Sequence, residues 1–259
     1  MFKNETVIPV STKIPDLVIE INNLSKGFAA LQVLKNLSLK VFDGENLVVL
    51  GKSGSGKSVL IKCIVRLLNP DKGTITVLGE NVNELKDKGL ATLREKIGFL
   101  FQSGALYDSM TIKQNLEFPL RRIKKKLTTK ERDEKIEEVL ENVGLADTSH
   151  KMPSELSGGM RKRASLARTI VVDPIIMLYD EPTTGLDPVT SDGISALIND
   201  IQKKSQTSSI IITHDIECAR ATADRIIMLK DGEIYTEGNI NDFENSTDEV
   251  IQSFFKQKA

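Results

Sequence analysis

Short apolar runs alternate with charged, turn-rich spacers along most of this 259-residue chain. Between Leu17 and Leu50 the apolar positions recur at every second residue: "VIEINNL", "LKNLSLKV" and, past an Asp43-Gly44 turn, "NLVVL". That period predicts strands. In "SVLIKCIVRLL" the spacing changes, and Val59, Ile61, Ile64, Val65, Leu67 and Leu68 fit one helix running to Leu68. A Pro70–Gly73 turn leads into "GTITVLG", read as a strand. From about Gly104 to Gly159 the pattern is mostly helical, clearest in "TTKERDEKIEEVLENVGL", with Gly144 as its stop. Strand-like runs return in "PIIMLYDE", "SSIIITHD" and "RIIMLKDGEIYTEG", the last a hairpin turning at Asp231-Gly232.

Strands alternating with helices imply an α/β fold whose mainly parallel sheet is covered on both faces. The helical stretch, about 104–160, reads as a subdomain inserted in a single domain spanning 17–240. The β-rich N-terminal portion reads as an antiparallel subdomain. A tail at 241–259 contains "DEVIQSFFKQKA", a short amphipathic helix that either caps the core or reaches a neighbouring subunit.

Composition changes this picture little. Hydrophobic residues are 40% and charged residues 27%, ordinary for a globular domain, and a net charge of -1 argues against nucleic acid as a partner. No apolar run approaches the roughly 20 residues that cross a bilayer. The stretch Met1–Pro15 lacks the apolar core of a signal peptide, so a cytoplasmic chain is expected. Cys63 and Cys218 have no CxxC spacing or nearby histidine and read as buried thiols. Arg121–Lys126, "RRIKKK", is a solvated helix end or a contact for acidic headgroups, and His150 reads as a surface residue.

The chemistry concentrates at strand ends. "LVVLGKSGSGKSVL" is a strand, a GxxxxGKS loop and a helix, the context a phosphate-binding P-loop needs. Gly51, Gly54 and Gly56 let the backbone curl around phosphate, with Ser53, Ser55 and Val59 in the same cradle. Lys57 is placed to reach the β- and γ-phosphates of a nucleotide, and the Ser58 hydroxyl to ligate Mg²⁺. In "IIMLYDE" an apolar strand delivers Asp180 to the metal shell and Glu181 one step beyond, as general base or water-orienting group. His214 ends the strand "IIITHD", where it can face the γ-phosphate. A second anion-binding pattern, "ELSGGMRKR", runs from Glu155 to Arg163: a serine and two glycines ahead of a basic helix.

Together these residues resemble the ATP-binding cassette (ABC) ATPases, over about residues 17–240. The P-loop "GKSGSGKS", Gln102 in "FLFQSG", the signature "LSGGM", the strand "IIMLYDE", "TTGLD" and His214 stand in that family's order. The resemblance implies ATP and Mg²⁺, with Gln102 beside Ser58 and Asp180 at the metal and beside Glu181 and His214 in catalysis. It implies Asp187 at the nucleotide interface. Phe28 falls where the family stacks a ring on adenine, although a core phenylalanine fits the same position. It further implies a head-to-tail homodimer, in which Ser157, Gly158 and Gly159 read the γ-phosphate of a partner's ATP. Met160, where many members have glutamine, departs from the signature without touching the phosphate-reading residues.

Within the family, "GKSGSGKSVLIKCI", "FLFQSGALYDSMTIKQNLEFPL" and "LSGGMRKRASLARTI" look like the ATPases of phospholipid transporters that work with MCE proteins, the Mla or Mkl type. This implies a motor held at the cytoplasmic face of the inner membrane by an integral permease. The permease would dock near Gly104–Leu120, on apolar Tyr107, Met110 and Leu116 and polar Asp108 and Ser109. The rival readings are an amino-acid-type importer ATPase and a soluble ABC regulator. About twenty residues after the last hairpin are too few for an appended regulatory domain, and a single P-loop does not suit a twin-cassette factor.

Overall fold

The computed structural model describes residues 16–255; the expectations for Met1–Pro15 and for the last four residues of the tail lie outside them. Two long strands, β1 (Leu17–Phe28) and β2 (Leu31–Phe42), pair antiparallel and are the first elements of the described residues. With β4 (Lys72–Val77) and the short β5 (Glu80–Asn81) they form a sheet ordered β2-β1-β4-β5.

The second sheet has six strands. They are β3 (Asn46–Leu50), β6 (Ile97–Leu100), β7 (Ile176–Asp180), β8 (Ser208–Thr213), β9 (Arg225–Lys230) and β10 (Glu233–Gly238), in the order β10-β9-β3-β8-β7-β6. All neighbours run parallel except the β9–β10 hairpin. This is the mainly parallel α/β sheet expected from the alternation of strands and helices, with the antiparallel sheet beside it.

The central strands are buried on both faces, which explains their unbroken apolar runs. Leu47 and Val49 of β3 pack toward the antiparallel sheet, while Val48 and Leu50 face the opposite cluster. Between the two sheets lies α1 (Lys57–Ile64), with Leu60, Ile61, Cys63 and Ile64 fully buried. The other face carries α5 (Gly158–Ile170) and α6 (Pro188–Ser205), whose Leu166, Ala167, Ile194 and Ile198 are buried. Helices α3 (Ile112–Ile123) and α4 (Thr129–Asn142) enter through capping boxes, Thr111 with Gln114 and Thr128 with Glu131. Gly144 follows α4 with a φ of 69°, the left-handed stop its sequence suggests. Within the basic run Lys124 pairs with Asp173 and Arg121 with Glu117, so the run is partly engaged.

Three readings need correction. Helix α1 ends at Ile64, not Leu68. Arg66 adopts a φ of 49° and its guanidinium donates to the carbonyls of Val82 and Leu85, while Leu67 is left 51% exposed. Those bonds, made far along the chain, outweigh the local apolar spacing. Leu116 is fully buried, so it belongs to the core, and Phe118 is the exposed aromatic beside Tyr107. The alternative of Phe28 as a core residue also fails, because the residue is 45% exposed.

Elements beyond those expected are strands β5 and β6 and helices α2 (Asp87–Arg94), α6, α7 (Ile216–Thr222) and α8 (Ile240–Glu244). The tail helix α9 (Glu249–Phe255) packs Phe255 near Phe243 of α8, with ring centroids 6.1 Å apart. Strand β6 fits tightly against β7 and α5. A methyl group on Gly98 would press on the Met177 sulfur, on Thr169 Cγ2 at 2.8 Å and on Pro174 Cγ at 3.2 Å. Gly98→Ala should therefore lower unfolding free energy by about 1–3 kcal/mol in urea titrations. An unchanged midpoint would mean that this edge of the sheet is loosely packed.

Candidate nucleotide site

The site forms where buried parallel strands run out. After Leu50 the chain curls through Gly51–Gly56 and re-enters as α1, whose N-terminus has no side-chain cap. Gly56 sits at φ 104°, and a Cβ there would strike Leu34 Cδ2 at 2.7 Å, so no other residue fits this turn. The uncapped amides and the helix dipole together favour an anion in the loop.

The Lys57 side chain is 5% exposed. Its Nζ donates to the carbonyls of Gly51 at 2.6 Å and Lys52 at 3.2 Å, and stands 3.4 Å from Glu181 Oε1. Ser58 Oγ donates to Asp180 Oδ1 at 3.0 Å. Burial pushes the Asp180 carboxyl above the ordinary carboxylate range, and the Ser58 hydrogen bond opposes that shift.

Glu181 is the most constrained of these residues. Its φ is 50°, unusual for a side chain of this size, and its amide donates to the Ile212 carbonyl at 2.9 Å. Oε2 stands 2.8 Å from His214 Nδ1 and accepts from Thr184 Oγ1 at 3.1 Å. His214 lies just past β8, where Asp215 caps α7 through Glu217 N and accepts from Thr183 Oγ1 at 3.0 Å. Gln102 leaves the end of β6. A cavity of about 290 Å³ is lined by Val33, Ser53, Gly54, Gly56, Lys57, Ser58, Val59, Gln102, Glu181 and His214.

Ser157, Gly158, Gly159, Asp187 and Phe28 do not line that cavity. Ser157 caps α5, its Oγ accepting from Met160 N at 3.3 Å, and nothing stands within 4 Å of a Cβ built on Gly158. Gly159 packs against Thr190. Asp187 caps α6, accepting from Thr190 N at 3.0 Å and Thr190 Oγ1 at 2.6 Å, and those bonds hold its carboxyl below the usual range. Phe28 lies at the end of β1, with Lys26 Nζ 5.4 Å from its ring.

Lys162 and Thr184 were not anticipated. Lys162 is 7% exposed and donates to the carbonyls of Gln102 and Glu181. Burial pulls its ammonium below the usual lysine range, against the charges of Asp180 and Glu181. Its signal was present: Lys162 precedes buried Leu166 by four residues, placing it on the inner face of α5. "RKR" looks like a solvated basic run, and this masks it.

The donors suit Mg²⁺. Ser58 and Asp180 offer hard oxygens 3.0 Å apart, and Gln102 lines the same cavity as Ser58. Among the described residues no group of three or more His, Cys, Asp or Glu stands together to hold a metal. Such a set fits an ion bound by one carboxylate and one hydroxyl and otherwise by phosphate and water. When bound, Mg²⁺ would neutralise phosphate charge.

A phosphate loop after buried β3, the Ser58–Asp180 pair and Glu181 just past the end of β7 define a nucleotide-binding cassette. The ABC transporter family model matches residues 34–184, and the chain belongs to that family. It is 44% identical over 211 residues to a probable ribonucleotide transport ATP-binding protein, mkl, of Mycobacterium tuberculosis, covering 82% of this chain and 58% of the relative. The chain thus spans about three fifths of the length of the mycobacterial relatives it matches. It is 35% identical over 256 residues to the Arabidopsis thaliana chloroplastic protein trigalactosyldiacylglycerol 3, covering 92% of this chain and 73% of that protein. Against the Brucella abortus methionine import ATP-binding protein MetN it is 36% identical over 249 residues, covering 96% of this chain and 66% of the other. Among solved structures, the dimeric structure of a bacterial ABC transporter cassette superposes with a TM-score of 0.80 at 33% identity, covering 86% of this chain and 98% of that one.

Proposed function

We propose that this chain is the ATP-hydrolysing motor of an ABC transporter that moves phospholipid between bacterial membranes. It works as a head-to-tail homodimer with an integral permease and an MCE-domain protein, held at the inner membrane's cytoplasmic face by the permease. Residues 17–240 form the motor domain, with the helical subdomain inserted and the tail following.

The observation that carries the hydrolytic reading is the setting of Glu181. Its carboxylate lies between Lys57 Nζ at 3.4 Å and His214 Nδ1 at 2.8 Å, at the mouth of the phosphate loop. A carboxylate so placed can accept a proton from water attacking a γ-phosphate bound by Lys57. Ser58 and Asp180, with Gln102, would hold the metal, and Phe28 offers an exposed ring to adenine. Ser157, Gly158 and Asp187 do not line this chain's own cavity, as expected of residues serving a partner's nucleotide.

For docking, Tyr107 and Phe118 form an exposed edge-on pair with centroids 5.4 Å apart, and the Arg168 guanidinium lies 4.9 Å from the Tyr107 ring. Asn115, fully buried, braces the loop beneath by bonding the Tyr107 N–H and the carbonyls of Tyr107, Met110 and Thr111. The phospholipid reading rests on the motif wording and on the Arabidopsis relative, whose name carries a lipid. Similarity to MetN supports a second reading, import of a small polar solute, and the mkl name offers ribonucleotides as a further solute class. Among the described residues no helix is long and apolar enough to cross a membrane.

Glu181→Gln should still bind ATP while turnover falls roughly 10²- to 10⁴-fold in a phosphate-release assay. Turnover at the wild-type rate would remove Glu181 from the mechanism. For cargo, Tyr107→Ala should reduce recovery of the membrane subunit in pull-downs while nucleotide affinity stays unchanged. Mass spectrometry of the wild-type complex should find bound phospholipid. A complex that transports methionine or ribonucleotide and holds no lipid would replace the phospholipid reading and leave the motor intact.

A further inference from the structure

The helix that begins at the signature loop carries a buried cation for which this hydrolytic scheme has no role. Lys162 lies about one turn into α5, past Gly158 and Gly159. Its Nζ donates to the Gln102 carbonyl at 3.1 Å and to the Glu181 carbonyl at 3.3 Å. Those carbonyls follow neighbouring parallel strands, β6 and β7, whose ladder pairs run from Ile97 with Ile176 to Leu100 with Tyr179. Beyond the last ladder pair the ammonium bridges the two backbones. On the same helix Arg168 Nη1 donates to the Ala105 carbonyl at 2.8 Å, so α5 holds the segment after β6 at two points.

Burying an ammonium is unfavourable unless its hydrogens are satisfied. An apolar side chain would fill the same space without that cost, so packing does not account for a lysine here. The two carbonyls do. Glu181 keeps a left-handed backbone, which persists only where its surroundings fix it. Its amide is fixed by Ile212 and its carbonyl by Lys162.

We propose that Lys162 is a positioning residue: it ties the backbones of Gln102 and Glu181 to each other and to the signature helix, so the metal-side glutamine and the base are set together by α5. A shift of α5 moves both groups at once. This inference rests on Glu181 being the hydrolytic base.

The test uses the full chain and three variants, Lys162→Met, Lys162→Arg and Glu181→Gln, in steady-state ATP hydrolysis. Binding of a fluorescent ATP analogue and thermal unfolding are measured alongside. Lys162→Met removes both donors and should lower kcat by at least about tenfold, as loss of supporting hydrogen bonds does at other sites. KM and analogue affinity should stay within about twofold, the mark of an interaction that matters in the transition state. Lys162→Arg, which can donate to both carbonyls, should recover most of the lost turnover. Unchanged kcat in Lys162→Met overturns the proposal. So does a fall in kcat matched by an equal loss of affinity and left unrescued by arginine, because that describes a merely structural lysine. If Lys162→Met does not fold, Lys162→Gln against Lys162→Arg is read by the same criteria. Glu181→Gln separates the two readings: wild-type turnover there defeats the hydrolytic scheme itself, whereas slow Glu181→Gln with normal Lys162→Met defeats this inference alone.

Discussion

Burial of the Lys57 ammonium is the constraint on which the rest of the site depends. An unpaired ammonium in this position would cost several kcal/mol. The chain meets that cost with three oxygens: the carbonyls of Gly51 and Lys52 and the carboxylate of Glu181. The carbonyls point inward only because the loop curls at glycines, and the carboxylate arrives only because β7 ends one residue earlier. A phosphate in the loop presents more strongly charged oxygens than either carbonyl, and charge-assisted bonds are the stronger ones. Exchange of partners therefore favours the bound state, and the lysine is in place beforehand.

Parallel strands make the convergence possible. β3, β6, β7 and β8 run in one direction, so their ends deliver the P-loop, Gln102, Asp180 with Glu181, and His214 to one edge. Ligands of open α/β sheets gather at that edge for the same topological reason. Close packing on both faces of the sheet then restricts how far any of these groups can move. The costs are visible where they would be expected: a buried Asp180, a left-handed Glu181 and a desolvated Lys162 all crowd the strand ends.

Much of this was legible before any coordinates. The strands around the glycine loop and before Asp180 announced themselves through continuous apolar runs, and α4 with its Gly144 stop through the helical pattern of "TTKERDEKIEEVLENVGL". What escaped the sequence was settled by distant contacts. Nothing near Arg66 says that its side chain will bond carbonyls at Val82 and Leu85 and end α1 early. Strand β6 is only four residues long, too brief for a period to emerge, and Leu116 looks like surface until α3 is packed. Lys162 hid among basic neighbours, although its four-residue offset from Leu166 marked the buried face of α5. That Ser157 and Asp187 do not line the cavity follows from tertiary geometry alone.

The central claim is that the pre-set Lys57 ammonium makes this loop a nucleotide phosphate site. Calorimetric titration of the full chain with Mg²⁺-ATP, wild type against Lys57→Ala, tests it most directly. Removing one partner of a buried, hydrogen-bonded charge pair costs about 2 kcal/mol or more, so affinity should fall at least about thirtyfold. Equal affinity in the two proteins would contradict the account, because phosphate recognition would then reside elsewhere.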